Sequence, residues 1–316
     1  MTTASTIEIR APDLGRFEAG NTGIPYVASW AADAPGPHAL ITALVHGNEL
    51  SGAHALIALH DAGIRPVRGR LSLAFVNVQA FETFDPARPK ASRYLDQDLN
   101  RVWSAEVLDS PRQSRELARA RELRPLIGRA DQLLDLHSMQ LASQPLLLAG
   151  TLEKGRALAR QVGFPATIVA DAGHRNGARM RDFGAFADPA QPAAAILLEA
   201  GAHWARASID VAITTCRQFL AALELVDPAQ LDRLGPPPAA TPQRLIEVSH
   251  AITVRREFRY VRDFRGLDLV PEAGTVIAYD GDQPVRTPYP DCILVMPSRR
   301  LSPGLTAVRL GREVAL

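Results

Sequence analysis

The chain has 316 residues, 47% hydrophobic and 22% charged, with a formal net charge of +1. That length holds one large domain, or one with a smaller companion. The near-zero charge gives no electrostatic call for nucleic acid or an anionic membrane surface. Only two cysteines are present, Cys216 and Cys292, so no disulfide scaffold is expected and a cytoplasmic location fits. The N-terminus shows no basic and apolar signal pattern, and no apolar run nears the ~20 residues that span a bilayer.

In chain order, Ile24–Ala28 reads as a strand, and the Pro- and Gly-rich residues 33–37 as a turn. The apolar run Ala39–Val45 predicts a buried strand, and Leu50–Ala62 has helical spacing. Between them lies His46-Gly47-Asn48-Glu49. A histidine and a glutamate at a strand-to-helix junction face the crevice at a strand's C-terminal end, where open α/β sheets bind ligands. Zinc accepts an imidazole and a carboxylate readily, with a third ligand from elsewhere.

Leu71–Val78 is a second strand of this kind. From Gln79 to Trp103 the chain is polar, and Pro86, Pro89 and five charged residues from Asp85 to Asp96 argue against a regular element. An irregular stretch of that length inside a compact domain is usually functional. Residues 111–129 read as a helix and 132–137 as a strand ending on His137. Strands follow at 145–149, 166–170 and 193–199, and helices at 153–162 and 207–225. This alternation predicts an α/β fold with a mostly parallel or mixed sheet flanked by helices. The Pro-rich segment 235–243 separates residues 1–234 from residues 244–316, whose β-branched and aromatic segments predict a small all-β domain.

Four polar clusters fall at predicted strand ends or in the long loop: His46–Glu49, Arg93–Arg101 (RYLDQDLNR), Asp135–Ser138 (DLHS) and Leu198–Gly201 (LEAG). In a parallel sheet their strand ends share one edge, so the clusters converge there. His46, Glu49 and His137 would then form a two-His, one-Glu site with an open fourth position. That is the ligand set of hydrolytic zinc, a metal that brings the pKa of bound water toward neutrality.

These four motifs in this order, with 87 residues between Glu49 and His137, resemble the succinylglutamate desuccinylase and aspartoacylase family of zinc-carboxypeptidase-like hydrolases. The resemblance runs over roughly residues 38–225 and more weakly beyond. It implies a zinc-carboxypeptidase α/β fold with a β-rich C-terminal domain, one zinc ion per chain, and hydrolysis of a small N-acyl amino acid. It also implies His46, Glu49 and His137 as metal ligands, Glu199 as general base, and Arg93 as the cation facing the scissile carbonyl and its oxyanion. Asn100 and Arg101 are implied as the holders of a substrate carboxylate, which a guanidinium fork matches. Asp135 is implied as the acceptor that orients a ligand imidazole.

The family's further substrate-reading arginine and C-terminal tyrosine are not fixed by a motif. Arg179 or Arg181 and Tyr289 are the candidates, with Arg181 and Tyr289 preferred. His174 is read as a polar-loop residue, with pocket lining as the minor alternative, His203 in packing, His54 and His60 on the surface or in packing, and Cys216 in the core. The expected partner is a small N-acyl amino acid, with no nucleic acid or membrane, and a homo-oligomer is left open. Two other readings are a metallocarboxypeptidase acting on peptides, which needs an open groove, and a non-catalytic metal-binding module, which has no use for Glu199 and Arg93.

Overall fold

The computed structural model describes residues 6–173 and 176–316. The N-terminal part contributes strands β1 (Val27–Ala31), β2 (His38–Ala43), β3 (Arg70–Phe75), β4 (Gln132–Met139), β5 (Leu146–Leu148), β6 (Thr167–Ala170) and β7 (Ala194–Ala202). Its helices are α1 (Leu50–Asp61), α2 (Val78–Phe81), α3 (Ala105–Leu108), α4 (Arg115–Ile127), α5 (Glu153–Val162), α6 (Arg206–Ala222) and α7 (Pro228–Leu231). The C-terminal part adds β8 (Arg244–Thr253), β9 (Phe258–Tyr260), β10 (Asp268–Val270), β11 (Val276–Asp280), β12 (Gln283–Arg286), β13 (Cys292–Val295) and β14 (Thr306–Val314).

The main sheet has the order β1-β3-β2-β4-β7-β5-β6-β8-β14-β13-β10. Its centre, β3-β2-β4-β7, is parallel. Both faces of these strands are covered, so they read as nearly continuous apolar runs. In β2, Ala39, Ile41 and Ala43 pack under α1 and α6, while Leu40 packs on the opposite side with α4. The parallel centre carries the C-terminal ends of β2, β4 and β7 to one edge, as the motif spacing predicts.

The sheet is mixed: β5 runs antiparallel to β7, and β1 is antiparallel to β3 at the far edge. The strand expected over Ala39–Val45 stops at Ala43, because Leu44 adopts a left-handed backbone conformation with φ of 61°. That conformation is incompatible with a strand. It turns the chain out of the sheet and starts the loop that carries His46 and Glu49.

The long segment 79–103 holds α2 and two 3-10 turns, Ala91–Arg93 and Leu99–Arg101, and is otherwise irregular. Glu116 of α4 fixes it. That carboxylate is fully buried and accepts the backbone N–H of Leu95 at 2.6 Å, Asp96 at 3.1 Å and Gln97 at 3.2 Å. Buried backbone donors of a loop need such a partner.

The C-terminal region is β-rich, as expected, but much of it extends the main sheet. β8 pairs in parallel with β6, and β14, β13 and β10 follow antiparallel, while β9, β11 and β12 form a separate three-stranded sheet. Among the described residues, no helix is long and apolar enough to cross a membrane.

A buried ion cluster ties the two parts together. Asp171, just after β6, lies 3.0 Å from Arg179 Nη1 and 3.2 Å from Nε of Arg309 on β14. All three side chains are buried. Burial would raise the Asp171 pKa, but Arg179 and Arg309 outweigh it and hold the carboxyl down to about 2. Removing one member of a buried ion group leaves the others uncompensated. Asp171→Ala is therefore expected to cost roughly 3–5 kcal/mol, read as a lower urea midpoint. An unchanged midpoint would show that the cluster does not hold β14 against the body.

Candidate metal and catalytic site

His46 and Glu49 sit in the turn between β2 and α1, which Gly47 makes possible. A Cβ at residue 47 would lie 2.4 Å from the Phe81 backbone nitrogen and 2.5 Å from the Ser92 carbonyl oxygen. Only glycine lets the metal-motif loop press against the 79–103 segment this closely. His137 and Glu199 are cross-strand partners at the ends of β4 and β7.

These elements bring His46, Glu49 and His137 together, with one ligand atom from each within 4.8 Å of the others. His46 Nδ1 is 2.8 Å from Glu49 Oε1, and His137 Nδ1 is 2.9 Å from Glu49 Oε2. The outer ring nitrogens also meet carboxylates: His46 Nε2 lies 3.0 Å from Asp98 Oδ1, and His137 Nε2 lies 2.9 Å from Asp135 Oδ2. Thr42 donates to the other Asp135 oxygen at 2.8 Å. Both imidazoles thus turn Nδ1 inward and are locked from behind by an acid, the arrangement in which histidines present a fixed tautomer to a metal. The residues fit a divalent cation such as zinc.

The protonation states point the same way. Burial would raise the Glu49 pKa, but His46 and His137 hold it well below the usual carboxylate range. Burial would lower the His137 pKa, but Asp135 and Glu49 push it well above the ordinary value. A buried carboxylate kept ionised beside two imidazole rings is a donor set that a cation would take over.

Arg93 reaches the same point from the 79–103 segment. Its Nη1 donates to Glu49 Oε1 at 3.0 Å, and its Nη2 lies 2.8 Å from His46 Nε2 and 3.4 Å from Asp98 Oδ2. Asn100 accepts the Met180 backbone N–H at 2.8 Å and points Nδ2 toward His137 Nε2 at 3.4 Å. Arg101 donates to the Asn100 carbonyl at 2.6 Å. Burial, first of all, lowers the Arg101 pKa to about 10.

Glu199 is buried, and its Oε2 has no hydrogen-bond partner among the described residues. Burial, then the negative charge of Glu49, pushes its pKa up to about 8. A carboxylate tuned upward in this way suits a general base.

These groups line a cavity of about 640 Å³. Arg93, Arg101, Arg179, Arg299, Arg300 and Arg309 border it, against the acids Glu49, Asp98 and Glu199. Six guanidiniums facing three carboxylates favour an anionic ligand.

Arg181 and Tyr289 are not brought to the cavity. Arg181 Nη2 donates to the Ala149 and Ala195 carbonyls at 3.0 and 2.9 Å, and Nη1 to Asp182 at 2.6 Å. The Tyr289 hydroxyl pairs with Ser249 Oγ at 2.5 Å, and its ring packs beside the Ile277 and Leu294 core. Arg179, the other candidate, lines the cavity.

His174 lies outside the described residues. His54 bonds the Arg10 carbonyl and His60 stacks on Phe17, both away from the cavity. Cys216 is in the core under α6, as expected. His203, expected in packing, lines the cavity instead. Asp98, Arg309 and the loop 296–305 were also not singled out from the sequence. Asp98 stands inside a motif, but nothing local marks Arg309 or the loop.

The succinylglutamate desuccinylase/aspartoacylase catalytic domain, as a family model, matches residues 35–223. The chain belongs to this family. Among curated relatives, a probable aspartoacylase of Parasynechococcus marenigrum is 35% identical over 130 residues, 39% of this chain and 41% of that protein. A human N-acyl-aromatic-L-amino acid amidohydrolase (carboxylate-forming) is 36% identical over 108 residues, 31% of this chain and 32% of that protein. The matched segment thus spans well under half the length of either relative.

The fold recurs in succinylglutamate desuccinylase from Vibrio parahaemolyticus, with a TM-score of 0.65 and 18% identity over 92% of this chain and 87% of that one. It also recurs in the product-bound ectoine utilization protein EutE (DoeB) of Ruegeria pomeroyi, with a TM-score of 0.61 and 18% identity over 90% and 87% of the two chains.

The raised Glu199 pKa has a stability consequence in the metal-free protein. The unfolded chain releases this proton near 4.5, while the folded chain keeps it to about 8. Between those values the folded state binds the extra proton, so this group's contribution to stability falls as pH rises. In chelator, the thermal midpoint of wild type is expected to drop more between pH 5 and pH 8 than that of Glu199→Gln. Parallel curves for the two proteins would contradict the buried, proton-holding carboxyl.

Proposed function

We propose that this protein is a zinc-dependent deacylase that hydrolyses the amide bond of a small N-acyl amino acid or related N-acylated amine. The observation that carries the reading is the convergence of His46, Glu49 and His137 beside the buried Glu199, whose Oε2 has no hydrogen-bond partner among the described residues, in one arginine-rich cavity. In this reading the three residues hold one zinc ion per chain. When bound, zinc supplies a Lewis acid that polarises a carbonyl and makes water more acidic.

The chain's own residues do the rest. Asn100 and Arg101 hold the substrate carboxylate at one end of the cavity. Arg93 faces the scissile carbonyl oxygen and stabilises the negative charge that develops there. Glu199 takes a proton from the attacking water and delivers it to the leaving amine nitrogen. With its pKa pushed up to about 8 by burial and by Glu49, Glu199 is near the range in which such a base works. Of the two arginine candidates for reading the substrate, we propose Arg179, which lines the cavity. Residues 1–234 are the catalytic unit, 235–243 the linker, and 244–316 the unit that closes the cavity. Cytoplasmic action belongs to the same reading and suits the free thiols Cys216 and Cys292.

A peptide-cleaving carboxypeptidase would need an open groove. The wall contributed by Met296–Leu301, Ser302 and Leu305 argues instead for a small substrate. A metal-binding module without catalysis would have no use for Glu199 and Arg93 against the metal ligands.

Two measurements test the proposal. His46→Ala is expected to lose stoichiometric zinc by metal analysis, and retained zinc would remove the ligand assignment. Glu199→Gln is expected to keep zinc and lose about 10²–10⁴ in kcat on N-acetyl, N-succinyl and N-formyl amino acids. The acidic limb of the wild-type pH profile, set by deprotonation of Glu199, should vanish with it. A Gln variant with full rate would remove the base.

A further inference from the structure

His203 belongs to none of the roles above. Its side chain is buried, and it borders the cavity. Its Nδ1 is 2.8 Å from Ser138 Oγ, while its Nε2 is buried and has no hydrogen-bond partner among the described residues. Native proteins rarely keep a buried polar nitrogen unpaired without a use. The backbone around it is firmly placed: His203 N donates to the Met139 carbonyl at 2.8 Å, and Trp204 Nε1 to the Asn48 carbonyl at 3.0 Å. Ser138 N donates to Glu49 Oε2 at 3.1 Å, so the Ser138–His203 pair is anchored to the metal-site carboxylate.

The pair stands on one side of the site. Trp204, next to His203, packs in the core beneath α1 and α6. Leu99 and Met180, next to Asn100 and to Arg179 and Arg181, pack in the opposite core with α4. His137 and Glu199 lie between. A substrate whose carboxylate sits at Asn100 and Arg101 therefore extends its other end, the acyl group, toward His203. The Ser138 hydroxyl can donate or accept, so the ring behind it can present either an N–H or a lone pair.

We propose that His203 is a specificity-determining residue that selects acyl groups carrying a hydrogen-bonding atom beyond the scissile carbonyl. This rests on the deacylase reading, which fixes the carboxylate at the opposite wall. A site built to pair with a polar group discriminates strongly against an analogue lacking it.

The test uses the zinc-loaded full chain and amides of one amino acid with isosteric acyl groups: glycoloyl against propanoyl, and 4-hydroxybutanoyl against pentanoyl. Wild type is expected to favour the hydroxyacyl member of at least one pair in kcat/KM. His203→Asn keeps a polar atom where Nδ1 meets Ser138 and removes the one at Nε2. His203→Gln does the reverse. The hydroxyacyl preference should fall on the order of tenfold in His203→Asn and be largely kept in His203→Gln, with zinc content unchanged in both. A merely structural role through Ser138 would reverse that order.

No hydroxyacyl preference in wild type, or the same preference in both variants, overturns the inference while leaving the deacylase reading intact. If wild type hydrolyses none of these amides, nor the N-acetyl, N-succinyl and N-formyl series, the deacylase reading falls, and this inference falls with it.

Discussion

A single buried carboxylate organises this molecule's chemistry. Glu49 meets His46 with one oxygen and His137 with the other, and it also accepts from Arg93 and from the Ser138 backbone. Those partners come from the β2–α1 turn, the end of β4 and the 79–103 segment. A charge with 2% exposure is tolerable only when several partners satisfy it. The same requirement explains why Asp98 and Asp135 stand behind the two imidazoles. Each inward-facing Nδ1 is held in direction by an acid on the ring's far side.

Glu199 is the counterpart to this satisfied core. It lies one strand away from His137, in the same low-dielectric surroundings, and lacks the partners that Glu49 has. Burial and the neighbouring negative charge therefore move the two carboxyls in opposite directions, Glu49 down and Glu199 up to about 8. Two acids pushed apart by their environments are the usual sign of divided roles, one binding and one transferring protons. The division is set by which strand end each occupies, since the residues themselves are chemically identical.

The C-terminal region contributes more than a cover. Because β8 continues the sheet from β6 and β14 pairs with β8, Arg309 is delivered to the cavity wall and fixed by Asp171. The excess of guanidiniums around the cavity comes partly from here, through Arg299, Arg300 and Arg309. The ligand's charge preference is thus decided jointly by both ends of the chain.

The four motifs and the parallel centre of the sheet were legible in the sequence, because apolar runs with period and length signals mark β2, β4 and β7, and each leads into polar residues at or just beyond its C-terminal end: His46 and Glu49, His137, and Glu199. Local chemistry fixed where His46, Glu49, His137 and Glu199 had to converge. Other features were not local. The left-handed Leu44 that cuts β2 short answers to packing, and the pairing of β8 with β6 depends on strands some 75 residues apart in the chain. Arg181 and Arg179 are two residues apart with the same chemistry, yet Arg181 donates to the Ala149 and Ala195 carbonyls away from the cavity, while Arg179, paired with Asp171 and Asp182, borders it. Tyr289 and His203 likewise exchanged the places expected of them, since which side chains border a cavity depends on the walls that enclose it. Residue type and order along the chain carried the family and the set of His46, Glu49, His137 and Glu199 that the strand ends bring together, because those are local to each motif. Which arginines and which histidine border the cavity was settled only by the tertiary structure, because that depends on how distant elements pack around one space.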